Sequence, residues 1–458
     1  MIEMEVDKIP GIGSTIGFLN SEDIDYGLVV FFIGLFIIFF VFNYIGLPQS
    51  KIVSFVFALA PIWLPLMSFL IFFHVYMLMI GMKFRLKSSR TIFEIILPPE
   101  VFKSPEAMEN VFTQVFNAAN PDNLMETYLD GKRPLPYTFE LVSRGGDVHL
   151  YATIPNKFVY GFSDNIYAQY PGVELKKLEV DYTAEVANNL KGWSFMSFHL
   201  TKKKSSVYPI KTYIDFGMDK LPKEEEKVDP MTPMLEMLAG IQPHQQMWIQ
   251  IICFAHREKN FKNGQLKSAG TWDDDVAAEI DSIMKRDPKT KGPLSSGDAS
   301  DFDGMPRITS GERDMIEVME RNSGKVAFET AIRVSYLSSK EGDYDGGLFS
   351  RFIRTFAQTD MKGRNGIGVR WRTDFNYSFI SDPFGKKALA WKHHEIKEYK
   401  QRILNPKSSA MQFKIMTAEE LATIFHLPGS VALTPTLNRV TSARSEAPSN
   451  LPTGKLPI

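Results

Sequence analysis

The sequence holds almost no cysteine. Cys253 is the single one among 458 residues, so no disulfide can close within the chain, which agrees with a reducing compartment. It lies in the apolar run Met247–Phe254 and reads as a buried structural thiol rather than a nucleophile. An excess of charge of either sign is missing too. Lys and Arg number 52 against 53 for Asp and Glu, so no global electrostatic case for nucleic acid exists. A phosphate-cradling loop is also absent. Gly454-Lys455 is followed by Leu456 and has no upstream glycine at the required spacing, and Gly385-Lys386-Lys387 follows a proline turn. His393-His394-Glu395 has no second ligand pair, and adjacent helical residues point about 100° apart. These three therefore read as surface residues. Asp298, Asp301 and Asp303 lack the spacing and terminal glutamate of a calcium loop. No catalytic residue, metal ligand or cofactor is assigned.

What the sequence does contain is grease near its start. Leu28 to Leu47 carries no charge and one strong polar group, Asn43, about the 20 residues a helix needs to cross a bilayer. Pro48-Gln49-Ser50-Lys51 interrupts. Ile52 to Met82 is a second, longer apolar run containing Pro61, Pro65 and His74. Its excess length predicts tilt, a kink, or a helix that continues past the bilayer. The acidic stretch 1–25 lacks the basic start of a signal peptide. A transmembrane hairpin over 26–82 is therefore expected. Lys83, Arg85, Lys87 and Arg90 follow the second run with no intervening acid, which places the bulk of the chain on the cytoplasmic side. With two spans the acidic tail is cytoplasmic as well, and the protein is multi-pass in the inner membrane, in contact with lipid; the acidity of the tail argues instead for a single span, which would put it outside.

Beyond the hairpin, residues 88–182 read as β-α-β-β-α-β. Thr91–Leu97 is β-rich, Ser104-Pro105-Glu106 starts a helix, and Tyr137–Ser143 and Asp147–Ile154 flank Arg144-Gly145-Gly146 as a hairpin. Asn156 caps a helix with Phe162 and Ile166, and Val173–Val180 closes the unit. That order predicts a ferredoxin-like domain. Residues 190–375 repeat it once 257–322 is set aside as an insertion: Trp193–Leu200, a helix from Asp229, Gln246–Ala255, Ser323–Leu337, a helix over Leu348–Phe356, and Ile367–Trp371. Tyr208–Phe216 also alternates in the manner of a strand. Lys202-Lys203-Lys204 reads as a solvated turn. In the insertion, Asp273-Asp274-Asp275 marks a helix start where acids favour the dipole, Ile308–Arg321 is a further helix, and 287–307 is loop-like. From Asp374 the aromatics scatter among turns. Residues 376–458 read as an irregular strap with one short helix, Ala418–Phe425, capped by Thr417.

One zone is basic: Arg351, Arg354, Arg364, Arg370 and Arg372, with Phe352, Phe356 and Trp371 interleaved. Bases stack on aromatics in basic grooves, so these arginines are the candidate contacts for a partner or for nucleic acid. The aromatics stand at core spacing, which weighs against nucleic acid.

Four stretches, IFEIILPPEVFKSPEAMENVF (92–112), YPIKTYIDFGMDKLPKEEEKVDP (208–230), QMWIQIICFAHREK (246–259) and LATIFHLPGSVALTPTLNRVTSARSEAPSNLP (421–452), carry a resemblance. They look like a bacterial membrane-anchored module of unknown function that accompanies HerA/FtsK-like ATPases of conjugation or type IV secretion type. The resemblance covers nearly all of 80–458. It implies a position beside a P-loop ATPase rather than a chemistry, and the chain end at Ile458 implies that the motor acts in trans; with no catalytic motif found, a non-enzymatic scaffold is expected. The resemblance carries no functional residue across. An α+β protein with a membrane anchor is the expectation, the alternative being a nucleic-acid-binding subunit of a transfer apparatus; either is compatible with an oligomer.

Overall fold

The structure is a computed structural model and describes residues 54, 58, 60–98, 103–117, 121, 123–220, 228–257, 271–284, 308–339, 344–373, 382, 384–404 and 413–429. The first apolar run, the acidic tail, the 287–307 stretch and the residues after 429 lie outside that set. Along the chain come α1 (Ala60–Lys87), β1 (Arg90–Ile96), α2 (Pro105–Val115), α3 (Leu124–Tyr128), β2 (Tyr137–Arg144), β3 (Asp147–Pro155), α4 (Val159–Gln169) and β4 (Glu174–Lys177). Then follow β5 (Ser194–Lys202), α5 (Thr232–Ala239), β6 (Gln245–Ala255), α6 (Trp272–Ile283), α7 (Ser310–Ser323) and β7 (Ala327–Ser338). The described chain closes with α8 (Gly347–Thr355), β8 (Ile367–Arg372), α9 (Lys386–Gln401), β9 (Lys414–Thr417) and α10 (Ala418–Ile424).

Helix α1 is apolar along nearly its whole length because the second apolar run supplies it. Leu64, Phe69, Phe72 and Val75 are more than half exposed, which water does not favour and lipid does. Within it, Met67–Arg85 is one helix long and apolar enough to cross a membrane. Two residues, Ser88 and Ser89, separate α1 from β1.

All strands join one antiparallel nine-stranded sheet in the order β4-β1-β3-β2-β6-β7-β5-β8, with β9 pairing β7 beyond the end of β5. The ladder between β2 and β6 runs from Tyr137↔Cys253 to Arg144↔Gln246 and makes the sheet continuous. Alternation along each strand gives the sheet two different faces. One face, with Phe139, Leu141, Ile249, Ile251, Val334 and Phe198, packs under α2, α4, α5, α8 and α10 in a single core. The opposite face carries Val142, Tyr151, Trp248 and Leu337 under Ile396 and Tyr399 of α9.

Several local expectations are reproduced. Thr417 caps its helix, in a capping box with Glu420, the acids at 273–275 do mark a helix start, and Cys253 is buried. Thr271 and Thr309 form the same capping box with Asp274 and Glu312. Others are corrected. Tyr208–Phe216 forms turns, not a strand; its amides pair with side chains of α10, Ile210 N with Glu420 at 2.9 Å and Tyr213 N with Thr423 at 2.9 Å. The C-terminal part is no irregular strap over its described length. It contains the 16-residue helix α9, and every residue of α10 is buried. Burying side chains such as Leu421 and Phe425 stabilises by roughly 1.5–3 kcal/mol each, so this segment belongs to the core it was expected to drape over.

Candidate functional site

The second face of the sheet is where polar chemistry collects. One residue from each of the eight strands β1 to β8 falls on a single transverse row: Lys176, Glu94, Tyr151, Glu140, Gln250, Arg333, His199 and Trp371. The middle of the row is dry, with Glu140, Gln250 and Arg333 at 0% exposure. Buried polar groups of this kind must find partners, and α9 supplies them. Glu395, Glu398, Tyr399 and Arg402 recur at helical spacing, which puts them on one side of α9 and its C-cap, facing the row.

Two halves can be distinguished. Around Glu140, Tyr182 Oη donates to the carboxylate at 2.9 Å, Gln250 Nε2 donates at 2.7 Å, and Arg402 Nε lies 3.0 Å away. Arg402 also holds Asp181, at 2.6 Å. Tyr182 and Tyr399 share a 3.0 Å hydrogen bond, and burial pushes both phenols well above their ordinary pKa, so they stay neutral. Burial works to raise the Asp181 pKa, but the hydrogen bond and charge of Arg402 outweigh it and the net direction is down. In the second half, His199 Nε2 meets Glu395 Oε2 at 2.8 Å, and Arg333 Nη1 stands 3.8 Å from both Glu395 and Glu398. Burial opposes ionisation of Glu395, yet the neighbouring His199 and Arg333 hold its pKa below the usual carboxylate value.

His394, Glu395 and Glu398 bring ligand atoms within 4.8 Å of one another. The surface reading of His393-His394-Glu395 is corrected at Glu395, which is buried, as is Glu398; His393 and His394 are half-buried. Arg333 already supplies the positive charge that a metal ion would bring, at 3.8 Å from two of the three residues, and like charges at that range repel strongly. The donor set therefore fits an arginine-centred ion-pair network better than a metal centre. Neither of the two cavities described below opens on it.

The arginine zone is placed differently from a free basic stripe. Arg364 pairs with Asp215 at 2.5 Å, Arg351 with Asp345 at 2.5 Å, and Arg370 donates to the Lys203 carbonyl at 2.9 Å. Arg372 lies over the Phe349 ring at 5.4 Å. Arg354 is exposed on α8. Between α8 and the outer strand β8 lies an open groove of about 580 Å³, lined by the apolar Phe349, Ile353 and Val369 and by Lys203, Arg354, Arg370 and Asp360, the last paired with Lys203. A second, far smaller cavity of about 10 Å³ lies under Met231 and Met234. Lys202 corrects the solvated-turn reading: it is 2% exposed and its ammonium sits 2.8 Å from Glu420. Of the four residues expected to set topology, Lys83, Arg85 and Lys87 end α1, while Arg90 donates to the carbonyls of Gln401 and Arg402 at 3.3 and 3.2 Å.

Sequence reading missed Glu140, Gln250, Arg333 and His199. Their signal was present: each is a strongly polar residue inside a largely buried strand, at the phase opposite Phe139, Ile249, Val334 and Phe198. No family model, curated protein or solved structure matches the chain.

Proposed function

We propose that this chain is a non-enzymatic, membrane-anchored scaffold whose cytoplasmic part docks a separate P-loop ATPase of the secretion or DNA-translocation type at the inner membrane. The observation that carries the reading is the mounting. Helix α1 passes through only two residues into β1, the second strand in the sheet order. Any movement of the sheet relative to the anchor is confined to that joint, which suits a platform better than a tethered enzyme. The buried row beneath α9 supports the same reading, because its charges neutralise one another instead of facing a cleft.

In this reading the two halves are ferredoxin-like units joined edge to edge. The orders β4-β1-β3-β2 and β6-β7-β5-β8 support that, each being the antiparallel arrangement a β-α-β-β-α-β unit adopts. The first apolar run, outside the described residues, would supply a second span and make the protein multi-pass. The partner surface is the α8–β8 groove, where the exposed Arg354 beside apolar Phe349, Ile353 and Val369 suits an acidic, partly apolar segment of the motor. Nucleic acid is the weaker alternative, since Arg351, Arg364 and Arg370 already have partners within the chain. Affinity capture of the full chain from crosslinked native membranes tests the proposal. Recovery of a P-loop ATPase is expected, with a several-fold loss on Arg354→Glu. Capture that recovers no such ATPase refutes it.

A further inference from the structure

Helix α1 is flanked on one side by the segment that follows α2. Tyr128 of α3 lies 5.9 Å from the Phe73 ring, and Arg133 donates to the Met77 carbonyl at 3.3 Å. Gly131 has φ +66°, and a Cβ there would stand 2.9 Å from the Ile80 backbone. Gly81 faces the Arg133 guanidinium, 2.8 Å from where its own Cβ would be. These close approaches fix α3 beside the stretch from Phe73 to Gly81. At this level sit ionic groups: Lys132 pairs with Glu126 at 2.8 Å, and Arg257 donates to the Lys132 carbonyl at 3.1 Å. Charges of that kind do not sit in hydrocarbon without heavy penalty. Yet α3 also turns Leu124, Met125 and Leu129 outward, at 52%, 64% and 57% exposure. A surface that is apolar at its tip and basic at its shoulder matches a bilayer boundary.

The length of the apolar run agrees. Ile52 to Met82 spans 31 residues without charge, about 46 Å as a helix, against a hydrocarbon core of about 30 Å. In sequence, Ile52 to Phe73 alone holds 22 uncharged residues, enough for that core, and α3 covers the helix from Phe73 on.

We infer that α3 is an interfacial lipid-binding shoulder. Leu124, Met125 and Leu129 enter the boundary between headgroups and acyl chains, Lys132 and Arg133 meet lipid phosphates, and the helix leaves the hydrocarbon at about Phe73 rather than at Lys83. This rests on the reading of α1 as a membrane span.

The test uses the full chain in anionic vesicles, with bimane attached to single introduced cysteines. Cys253 is buried, so it should remain unlabelled, and its silence reports an intact fold in each variant. Phe69→Cys reports the span, Met125→Cys and Leu129→Cys report the shoulder, and Tyr160→Cys, 83% exposed on α4, reports water. Lipids carrying a spin label near the headgroup or near the chain terminus serve as quenchers. The expected result is deep quenching at Phe69→Cys and several-fold stronger shallow than deep quenching at Met125→Cys and Leu129→Cys. If Phe69→Cys is quenched while the two α3 positions behave as Tyr160→Cys does, the shoulder is refuted and the span stands. Deep quenching at Met125→Cys overturns the boundary at Phe73. Absence of quenching at Phe69→Cys overturns the span and the shoulder together.

Discussion

Arg333→Met is the perturbation that most directly tests how the second face is held. The guanidinium is at 0% exposure, donates to Gln250 Oε1 at 2.5 Å and to the Ile403 carbonyl at 3.2 Å, and stands 5.3 Å over the Tyr399 ring. At 3.8 Å from Glu395, one charge pair is worth about 4 kcal/mol at an effective dielectric of about 20. Glu398 lies at the same distance. Methionine keeps much of the volume but leaves two buried carboxylates facing an apolar stem. Removing one partner of a buried pair typically destabilises by about 3–5 kcal/mol. Urea unfolding of the full chain in detergent, followed by tryptophan fluorescence, measures it; Trp248 packs 5.3 Å from Tyr399 and reports locally. Glu395→Gln alone should destabilise less, because it removes a charge instead of stranding one. Combined, the two substitutions should fall short of the sum by more than about 1 kcal/mol, as groups in one network do. If they add within about 0.5 kcal/mol, or if Arg333→Met is neutral, the network does not hold α9 and the reasoning fails.

The remaining predictions concern single sites. Lys202→Met should destabilise by about 3–5 kcal/mol because it strands buried Glu420, whereas Lys204→Met should stay within about 0.5 kcal/mol; equal effects at both would contradict the buried pair. The pKa values of Asp181 and Glu395 are lowered in the folded state, so their contribution is present above the unfolded carboxylate values near 4 and is lost as pH falls through the lowered ones. The urea midpoint should therefore drop steeply in that acid window and less steeply for Asp181→Asn, and an unchanged acid limb would count against the pairing. Burial pushes the Cys253 thiol far above its usual pKa, so a thiol reagent should label it only on unfolding, with a rate that follows urea; rapid labelling of the native chain would refute the β6 placement.

The parts legible in the sequence are those with short-range causes. The apolar run became α1, and the helix starts at Thr271, Thr309 and Thr417 are set by hydroxyls and acids three residues apart. The order of the eight strands β1 to β8 was readable, apart from the extra strand expected at Tyr208–Phe216, because turns and periodicity are local. What was not legible is the ladder between β2 and β6. A strand edge carries no label for its partner, and the pairing of Tyr137–Arg144 with residues a hundred positions later is selected by the sheet as a whole. Helix α9 was lost for a related reason. Its sequence KKALAWKHHEIKEYKQ has a weak apolar stripe because much of its inward side is Glu395, Glu398 and Tyr399, residues that seek partners on the row instead of grease.

Lys202 shows why composition misleads where phase does not. A run of three lysines reads as a solvated turn, since lysine is rarely buried. But β5 continues through Thr201 to Lys202, and Lys202 shares the phase of Phe198 and Leu200, both facing the main core. Period two therefore drives its ammonium inward. The charge that makes this tolerable comes from Glu420, far along the chain, whose two oxygens also accept the amides of Ile210 and Thr417. One carboxylate thus pins the end of β5, the turn after it and the start of α10 together. Such a residue cannot be found by scanning for acids near bases in sequence. It can be found by asking, strand by strand, which polar side chain the alternation forces indoors, and then which distant group must follow it there.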